Sequence, residues 1–233
     1  MSIFKVHETY QELKRYGQIV RVLVRYGFGD LLQRMKVNHA ARQRVLTIKT
    51  QALKNLTTPE RLRLAFEELG PAFIKFGQVL SSRPDVLSAE FVKELSKLQD
   101  HVPPFPFSDA KALIESQFGC PLTEVFDDFE EEPLAAASLA QVHRARTKTG
   151  DEVAVKVQRP GIGSIIETDI RILRDLASLC QRHWPESRHY EPVQIVDEFA
   201  GMIRRELDYI KEARNIQRFG EFFADDEAIY IPR

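Results

Sequence analysis

The sequence predicts an α+β fold, in which an all-helical N-terminal part precedes a small antiparallel sheet with long helices. Residues 4–56 contain no proline and place apolar residues at helical spacing. Residues 129–161 instead show a strand–turn–strand pattern. Between them, HVPPFPF (residues 101–107) has three prolines in seven residues, which is typical of a rigid connector. We therefore expect a helical extension over residues 1–103 and an α+β unit over residues 104–233.

Composition and charge restrict the class of protein. Of the 233 residues, 43% are hydrophobic and 29% are charged, the ordinary balance of a globular protein with a buried core. Cys120 and Cys180 form no CxxC spacing, so they indicate neither a disulfide framework nor a zinc site. No apolar run approaches a membrane span, and the N-terminus lacks the basic and apolar regions of a signal peptide. We expect a cytoplasmic protein.

The basic residues are concentrated at the N-terminus. Residues 1–56 carry eleven Lys/Arg against three Asp/Glu, a net charge of +8, so the remainder carries −9. Together with the amphipathic segment IVRVLVRYGFGDLLQRM, this indicates an anionic membrane surface as a partner, and hence a peripheral position at the inner membrane. The alternative is that the apolar faces pack on one another. A nucleic acid is not expected.

The helices of the N-terminal part have recognisable boundaries. The basic segment reads as two or three helices, broken near Gly27–Gly29. TTPERLRLAFEELG predicts a helix with Thr58 as N-cap and Pro59 at its first position. PAFIKFGQVLSSRPD predicts a short helix that begins at Pro71 and ends before the next proline. Ser88 caps one further helix.

The second part predicts both strands and helices. A helix capped by Ser108 ends at Gly119. LAQVHRAR and DEVAVKVQ are strands on either side of the turn TKTGD. Two long helices follow over roughly 164–183 and 192–218, and the final AIYIPR has the pattern of another strand.

One segment between these elements has the spacing of a phosphate-binding loop without its glycines. The loop over the ATP phosphates in protein kinases has the pattern G-x-G-x-x-G-x-V. Ala135, Ala137, Ala140 and Val142 stand at those four positions in AAASLAQV. Alone, such an alanine-rich segment favours a helix. Because it leads directly into a strand, we interpret it as a nucleotide-binding loop.

A lysine on the next strand supports this interpretation. VAVKV is a short β-branched run that predicts a buried strand. A lysine within such a strand must either reach solvent or pair with anions, so we expect a buried ion pair here. Lys156 ends VAVK, the counterpart of the kinase V-A-I-K, whose lysine contacts phosphates and a helical glutamate. The helix EFAGMIRRELDYIKEARN offers Glu206, Asp208 and Glu212 as partners. The alternatives are an edge-strand lysine that points to water and a solvated acidic helix face. The candidate nucleotide-binding residues are Ala135, Ala136, Ala137, Ser138, Leu139, Ala140, Val142, Ala154 and Lys156.

Together these motifs resemble the UbiB (aarF-domain) family of atypical protein-kinase-like proteins. The resemblance rests on KFGQ at residues 75–78, which matches the family's KxGQ signature, and on AAASLAQVH and VAVKVQRPG. It also rests on Glu206-Leu207-Asp208, followed by Glu212-Ala213, which matches the family's ExD region. These signatures occur in the family's order and cover the chain from about residue 20 to its end.

The resemblance implies roles for individual residues. It implies a protein-kinase-like small lobe in which Lys156 is the nucleotide lysine and Glu212 its helix partner, the two candidate catalytic residues. It also implies that the KxGQ segment belongs to an extension that folds over the active site, where Lys75 pairs with Glu206. The candidate autoinhibitory residues are Lys75, Gly77, Gln78, Glu206 and Asp208.

The resemblance further implies ATP or ADP as the cofactor and a role in the biosynthesis of ubiquinone or other prenyl lipids. Prenyl-lipid precursors and other lipid-biosynthesis proteins are then candidate partners. No H-R-D-type loop, D-F-G or metal-binding Asp/Asn pair occurs before Arg233, so we expect no metal site in this chain and Mg²⁺ only with a kinase large lobe. The alternative is a non-catalytic module that binds a lipid or a protein and uses nucleotide as a conformational signal.

Overall fold

A computed structural model describes residues 3–35, 55–99 and 102–232 of the chain. Its α+β architecture confirms the predicted fold class. Helices of the N-terminal part are α1 (Ile3–Arg25), α2 (Gly29–Arg34), α3 (Thr58–Leu69), α4 (Pro71–Ser81) and α5 (Ala89–Leu95). The following helices are α6 (Phe107–Phe118), α7 (Leu122–Val125), α8 (Ile162–His183), α9 (Pro192–Glu206) and α10 (Tyr209–Phe222). A 3-10 helix over Pro185–Tyr190 joins α8 to α9.

Two of the predicted caps are displaced. Helix α3 is capped by Thr57 rather than Thr58, because Thr57 and Glu60 form a reciprocal capping box. The Thr57 hydroxyl accepts the Glu60 N–H, and the Glu60 carboxylate accepts the Thr57 N–H at 2.7 Å. Helix α6 begins at Phe107, so Ser108 lies inside its first turn and is not its cap.

Two other predicted boundaries are confirmed. Ser88 is the N-cap of α5, although its side chain makes no capping hydrogen bond. Gly119 ends α6 in the left-handed region with φ 72°, a conformation that glycine adopts without a Cβ penalty.

The strands form a small antiparallel sheet around one central strand. The strands are β1 (Phe126–Phe129), β2 (Ala135–Ala136), β3 (Ala140–Thr147) and β4 (Glu152–Gln158). β3 and β4 form a hairpin, and β1 and β2 both pair with the opposite side of β3. The hairpin is the predicted strand–turn–strand.

The C-terminal part differs from the prediction in two places. The expected helix over 192–218 is divided between α9 and α10, because the Asp208 side chain accepts the Lys211 N–H at 3.0 Å and starts a new helix. The tail at 228–232 is not a strand. There the Ala228 N–H bonds to Asp226 Oδ1 at 3.0 Å, so a local turn takes the place of strand pairing.

Two hydrophobic cores and one small cluster, which lies between α1, α2 and α8, hold the described elements together. The larger core joins the N-terminal helices to α8 and α9 and contains Phe73, Leu95, Ile166 and Phe199, each at most 1% exposed. The smaller core lies between α6 and the sheet. Because the larger core includes residues on both sides of position 103, the helical extension packs directly on α8 and α9. The domain boundary itself stays a prediction.

The amphipathic N-terminal segment contributes to this packing. Ile19, Val20 and Val22 on α1 are at most 2% exposed, and Leu32 and Met35 are also buried. Among the described residues, these apolar faces pack on one another inside the protein, which was the alternative to membrane binding. Adsorption to an anionic membrane stays a prediction, and it now rests on charge alone. No helix in the described ranges combines the length and apolar character of a membrane span.

Candidate functional site

The register of the hairpin collects several candidate residues on one face of the sheet. Val142 lies opposite Lys156, Ala135 lies opposite Val142, and Arg144 lies opposite Ala154. Directly opposed residues of an antiparallel pair project to the same face, and that face repeats every second residue. Ala135, Val142, Ala154 and Lys156 therefore share one face, whereas the alternate valines of β4 pack in the smaller core.

The Lys156 ammonium lies between a carboxylate and an aromatic ring. Its Nζ donates to Glu212 Oε1 at 3.0 Å and to Oε2 at 2.8 Å, and it lies 4.7 Å from the centroid of the Tyr209 ring. The predicted contact between Lys156 and Glu212 is confirmed, but its expected burial is wrong. The two side chains are 41% and 45% exposed, because α10 covers this face of β4 only in part.

The alanine loop is a closed turn. The Ala137 N–H donates to the Ala140 carbonyl at 2.8 Å, and the Arg159 N–H donates to the Leu139 carbonyl at 2.8 Å. In glycine-rich loops the backbone N–H groups are the donors that cradle phosphate. Here the Ala137 N–H is used within the turn itself, which leaves the loop with fewer donors for a ligand.

Three candidate residues lie away from the shared face. Ala136 pairs with the buried Gln141 and thus projects to the opposite side of the sheet. Leu139 is 5% exposed and belongs to the larger core, so it anchors the loop to the helices. Ser138 is fully buried, and its hydroxyl has no hydrogen-bond partner among the described residues.

Arg159 is a part of this site that the sequence analysis missed. Its Nη2 donates to the carbonyls of Pro103 at 3.0 Å and Ala137 at 3.3 Å, and its guanidinium lies 5.2 Å from the centroid of the Phe105 ring. Burial lowers the pKa of Arg159. Its place in VAVKVQRPG was the only sequence signal, and that signal does not reveal a clamp between the connector and the alanine loop.

A buried polar pair on β3 was also missed. Gln141 Oε1 accepts the Phe105 N–H at 3.0 Å, which fixes the orientation of the Gln141 amide. Its Nε2 lies 2.8 Å from His143 Nε2, which therefore accepts, and His143 Nδ1 donates to the Glu130 carbonyl at 2.8 Å. This network attaches the connector to the sheet.

The KFGQ motif connects α4 to α9, to α3 and to the segment that follows α5. Lys75 Nζ lies 2.8 Å from Glu206 Oε1, which confirms the predicted contact. A Cβ on Gly77 would lie 2.3 Å from Leu98 Cδ1 and 2.8 Å from Phe66 Cδ2. The Leu98 and Phe66 side chains therefore pack directly against the backbone of α4 at Gly77. Gln78 Nε2 donates to the Leu98 carbonyl at 3.1 Å.

The ExD region is the short break between α9 and α10. Glu206 ends α9 beside Lys75, and Asp208 caps α10. Gln158 Nε2, at the end of β4, donates to the Leu207 carbonyl at 3.2 Å. The break therefore places the Lys75 ion pair at the end of one helix and the Lys156 ion pair in the first turn of the next.

The residues fit an anionic ligand better than a metal. Lys156 presents an ammonium on a partly open sheet face, and a phosphate complements such a group electrostatically. In the described part of the chain, no group of three or more His, Cys, Asp or Glu side chains is placed to hold a metal ion.

Comparisons with known proteins identify the family of the chain. The model of the ABC1 atypical kinase-like domain matches residues 97–233. "Probable protein kinase UbiB" of Aeromonas salmonicida is 41% identical over 228 residues, which are 96% of this chain and 42% of the relative. "Probable protein kinase UbiB" of Pseudomonas putida (strain W619) is 43% identical over 225 residues, 95% of this chain and 42% of the relative.

A solved structure of a Mycobacterium tuberculosis protein in complex with erythromycin is 29% identical, with a TM-score of 0.46, over 69% of this chain and 40% of the other. The chain spans 42% of the length of the two UbiB relatives. With more than half of its residues matched by the family model, and with UbiB proteins among its relatives, this chain belongs to the ABC1 atypical kinase-like family.

Proposed function

We propose that this chain is the nucleotide-binding portion of an atypical kinase or ATPase of the UbiB type. The observation that carries the proposal is the Lys156–Glu212 ion pair on the sheet face shared by Ala135, Val142 and Ala154. An ammonium has three N–H donors, and two of them contact the Glu212 carboxylate. The third, on a partly exposed group, is available to a phosphate of ATP or ADP.

The closed alanine turn supports a modest affinity for nucleotide. Each Cβ disfavours the positive φ values with which glycine turns its N–H groups toward a phosphate. Since the Ala137 N–H is already bonded within the turn, Lys156 carries most of the attraction for phosphate. Metal ligands for Mg²⁺ would come from the remainder of a longer family protein, and would supply charge neutralisation during phosphoryl transfer.

The Lys75–Glu206 ion pair extends the proposal to regulation. It attaches α4 to the end of α9, directly before the helix turn that carries Glu212. We assign Lys75, Gly77 and Gln78 the role of holding α4 over this side of the site, where it limits access of a protein substrate. The biological role within this proposal is support of ubiquinone or other prenyl-lipid biosynthesis.

The test is a titration with a fluorescent ADP analogue. Wild-type chain binds it weakly, and both Lys156→Ala and Glu212→Gln weaken the binding further. Lys148→Ala is the matched control, because Lys148 lies at the other end of the hairpin and is 50% exposed. Equal binding by wild type, Lys156→Ala and Lys148→Ala would refute a nucleotide site at Lys156.

One observation favours a second candidate function, a non-catalytic module that binds a lipid surface or a protein partner. Helix α10 has no buried residue, and its Ile210, Phe219 and Phe222 are 68%, 56% and 80% exposed. A vesicle sedimentation assay discriminates between the candidates. Binding that requires anionic lipid and falls with Phe219→Ser and Phe222→Ser supports a lipid-binding module and peripheral membrane association. No sedimentation rejects the lipid-binding form of the module and the membrane association with it.

A further inference from the structure

Tyr209 and Glu212 present two different groups to one ammonium. Tyr209 is the first residue of α10, and Glu212 lies three residues later, on the same face of the helix. The Lys156 Nζ contacts both Glu212 oxygens and lies 4.7 Å from the Tyr209 ring centroid. This distance is within the range of a cation–π interaction. One helical turn thus supplies both a carboxylate and a ring.

The position of this turn is fixed from both sides. Asp208 caps α10 through the Lys211 N–H at 3.0 Å, which sets where the helix begins. Gln158, two residues after Lys156 on β4, donates to the Leu207 carbonyl at 3.2 Å and holds the break against the strand. The Tyr209 ring therefore lies next to Lys156 through backbone constraints and not through its own hydroxyl.

The Tyr209 hydroxyl supplies no visible contact. Its oxygen is buried and has no hydrogen-bond partner among the described residues. Burial, followed by the charges of Glu212 and Glu206, raises the pKa of Tyr209 to about 12, so the hydroxyl stays neutral at ordinary pH. The aromatic ring is therefore the part of Tyr209 that contacts Lys156.

We propose that Tyr209 is a positioning residue, whose ring restricts the Lys156 ammonium to the place beside Glu212 from which it binds nucleotide phosphate. This inference rests on the proposed function. A lysine side chain has much rotamer freedom, and ordering it when a ligand binds reduces affinity. A ring that already orders Lys156 in the free protein removes part of that cost.

The first experiment tests the positioning without nucleotide. In NMR spectra of the lysine side chains of the free 233-residue chain, the Lys156 signals are identified by their loss in Lys156→Ala. The Tyr209 ring current shifts these signals in wild type and in Tyr209→Phe, and the shift disappears in Tyr209→Leu. Tyr230→Leu, at a tyrosine that is 86% exposed, is the control and leaves the shift intact. Unshifted Lys156 signals in wild type, or no change in Tyr209→Leu, overturn the proposal.

The second experiment measures affinity for the fluorescent ADP analogue. Tyr209→Leu, which keeps apolar bulk, weakens binding by about two- to fivefold, the factor that corresponds to a cation–π contact at an exposed site. Tyr209→Phe, which keeps the ring and removes only the hydroxyl, binds with wild-type affinity. This result assigns the weaker binding of the leucine variant to the loss of the ring. Equal weakening by Phe and Leu assigns the effect to the hydroxyl and overturns the proposal. If Lys156→Ala also binds like wild type, the proposed function fails, and the NMR experiment alone decides whether the ring positions Lys156.

Discussion

At the scale of single residues, Lys156 shows what a motif can and cannot predict. The VAVK pattern and the ExD region predicted its contact with Glu212, and the structure contains it. The sequence suggested a buried strand because VAVKV is apolar and β-branched. Burial of a strand depends on what covers each face. The smaller core covers the valine face of β4, and α10 leaves the lysine face partly open.

This exposure changes the expected cost of removing Lys156. Removing one partner of a buried ion pair reduces the free energy of unfolding by about 3–5 kcal/mol. A half-exposed pair is screened by water, and Lys156→Ala should therefore reduce the free energy of unfolding by less than about 1 kcal/mol. Urea denaturation measures this directly. A loss of several kcal/mol would show that the pair is desolvated in solution.

Arg15 and Asp169 form an ion pair whose disruption should reduce the free energy of unfolding strongly. Arg15 Nε and Nη2 donate to the two Asp169 oxygens at 2.6 and 2.7 Å, and Nη2 also donates to the Leu69 carbonyl at 2.7 Å. The Asp169 side chain is fully buried on α8. Arg15→Met leaves this carboxyl buried without its partner, so we expect a loss of about 3–5 kcal/mol in the free energy of unfolding at neutral pH.

The loss should depend on pH in a defined direction. Burial raises the pKa of Asp169, and Arg15 opposes that rise. A carboxyl with a raised folded-state pKa contributes its full stability below the unfolded pKa of about 3.9 and loses it as the pH rises through the folded pKa. Without Arg15 that pKa is higher still, so the destabilisation by Arg15→Met grows between acid and neutral pH.

Denaturation curves at several pH values check the direction. The double variant Arg15→Met/Asp169→Leu is the control, because replacing both charges by apolar groups removes the buried carboxyl and its pH dependence. A cost of Arg15→Met that is the same at acid and neutral pH would contradict the assignment to Asp169.

At the scale of elements, helix ends were harder to predict than helices. The shift of a cap from Thr58 to Thr57 is a difference of one residue in a sequence that offers two adjacent threonines. The break between α9 and α10 contains neither glycine nor proline, and only the contacts of Asp208 and Leu207 reveal it. Caps depend on side-chain geometry that helical periodicity does not encode.

Gly77 provides a test of how tightly α4 is packed. Because an added Cβ would overlap the buried Leu98 and Phe66 side chains, Gly77→Ala should cost about 1–3 kcal/mol of unfolding free energy. Gly201 on α9 is the matched control: its Cβ would meet only the Arg205 side chain, at 3.9 Å. Gly201→Ala should gain roughly 0.5–1 kcal/mol from helix propensity. Both are measured by urea denaturation, and equal effects would show that α4 is not closely packed at Gly77.

At the scale of the whole molecule, the sequence predicted the fold class and the two lysine contacts but not the links between distant segments. Arg159, Gln141 and Arg15 each join parts of the chain that lie far apart in sequence. Such contacts depend on the tertiary arrangement, and neither periodicity nor motif spacing contains that information. The two lysine contacts were predictable because the motifs that carry them resemble those of the UbiB family.

We expect nucleotide turnover, as part of the proposed function, to require more of the family's length than this chain spans. Phosphoryl transfer depends on metal ions and on a catalytic-loop carboxylate. The described residues hold no cluster of metal ligands, and the chain spans 42% of its UbiB relatives. We therefore predict no magnesium-dependent phosphate release from ATP by the 233-residue chain.

A fusion to the remainder of a family relative should restore hydrolysis. In that fusion, Ala137→Gly should alter nucleotide affinity, because it removes a Cβ from the closed turn. Robust hydrolysis by the short chain, abolished by Lys156→Ala, would contradict the prediction.

The central claim is that nucleotide phosphate binds at Lys156. Its most direct test is covalent labelling with an acyl-phosphate derivative of ADP. This probe acylates a lysine that lies beside the bound phosphates. Mass spectrometry of the digested chain identifies the modified residue. We predict preferential modification of Lys156, suppressed by excess ADP, while the exposed Lys97, Lys111 and Lys148 react slowly and without protection. Labelling spread evenly over those lysines, with no protection of Lys156 by ADP, would contradict the claim.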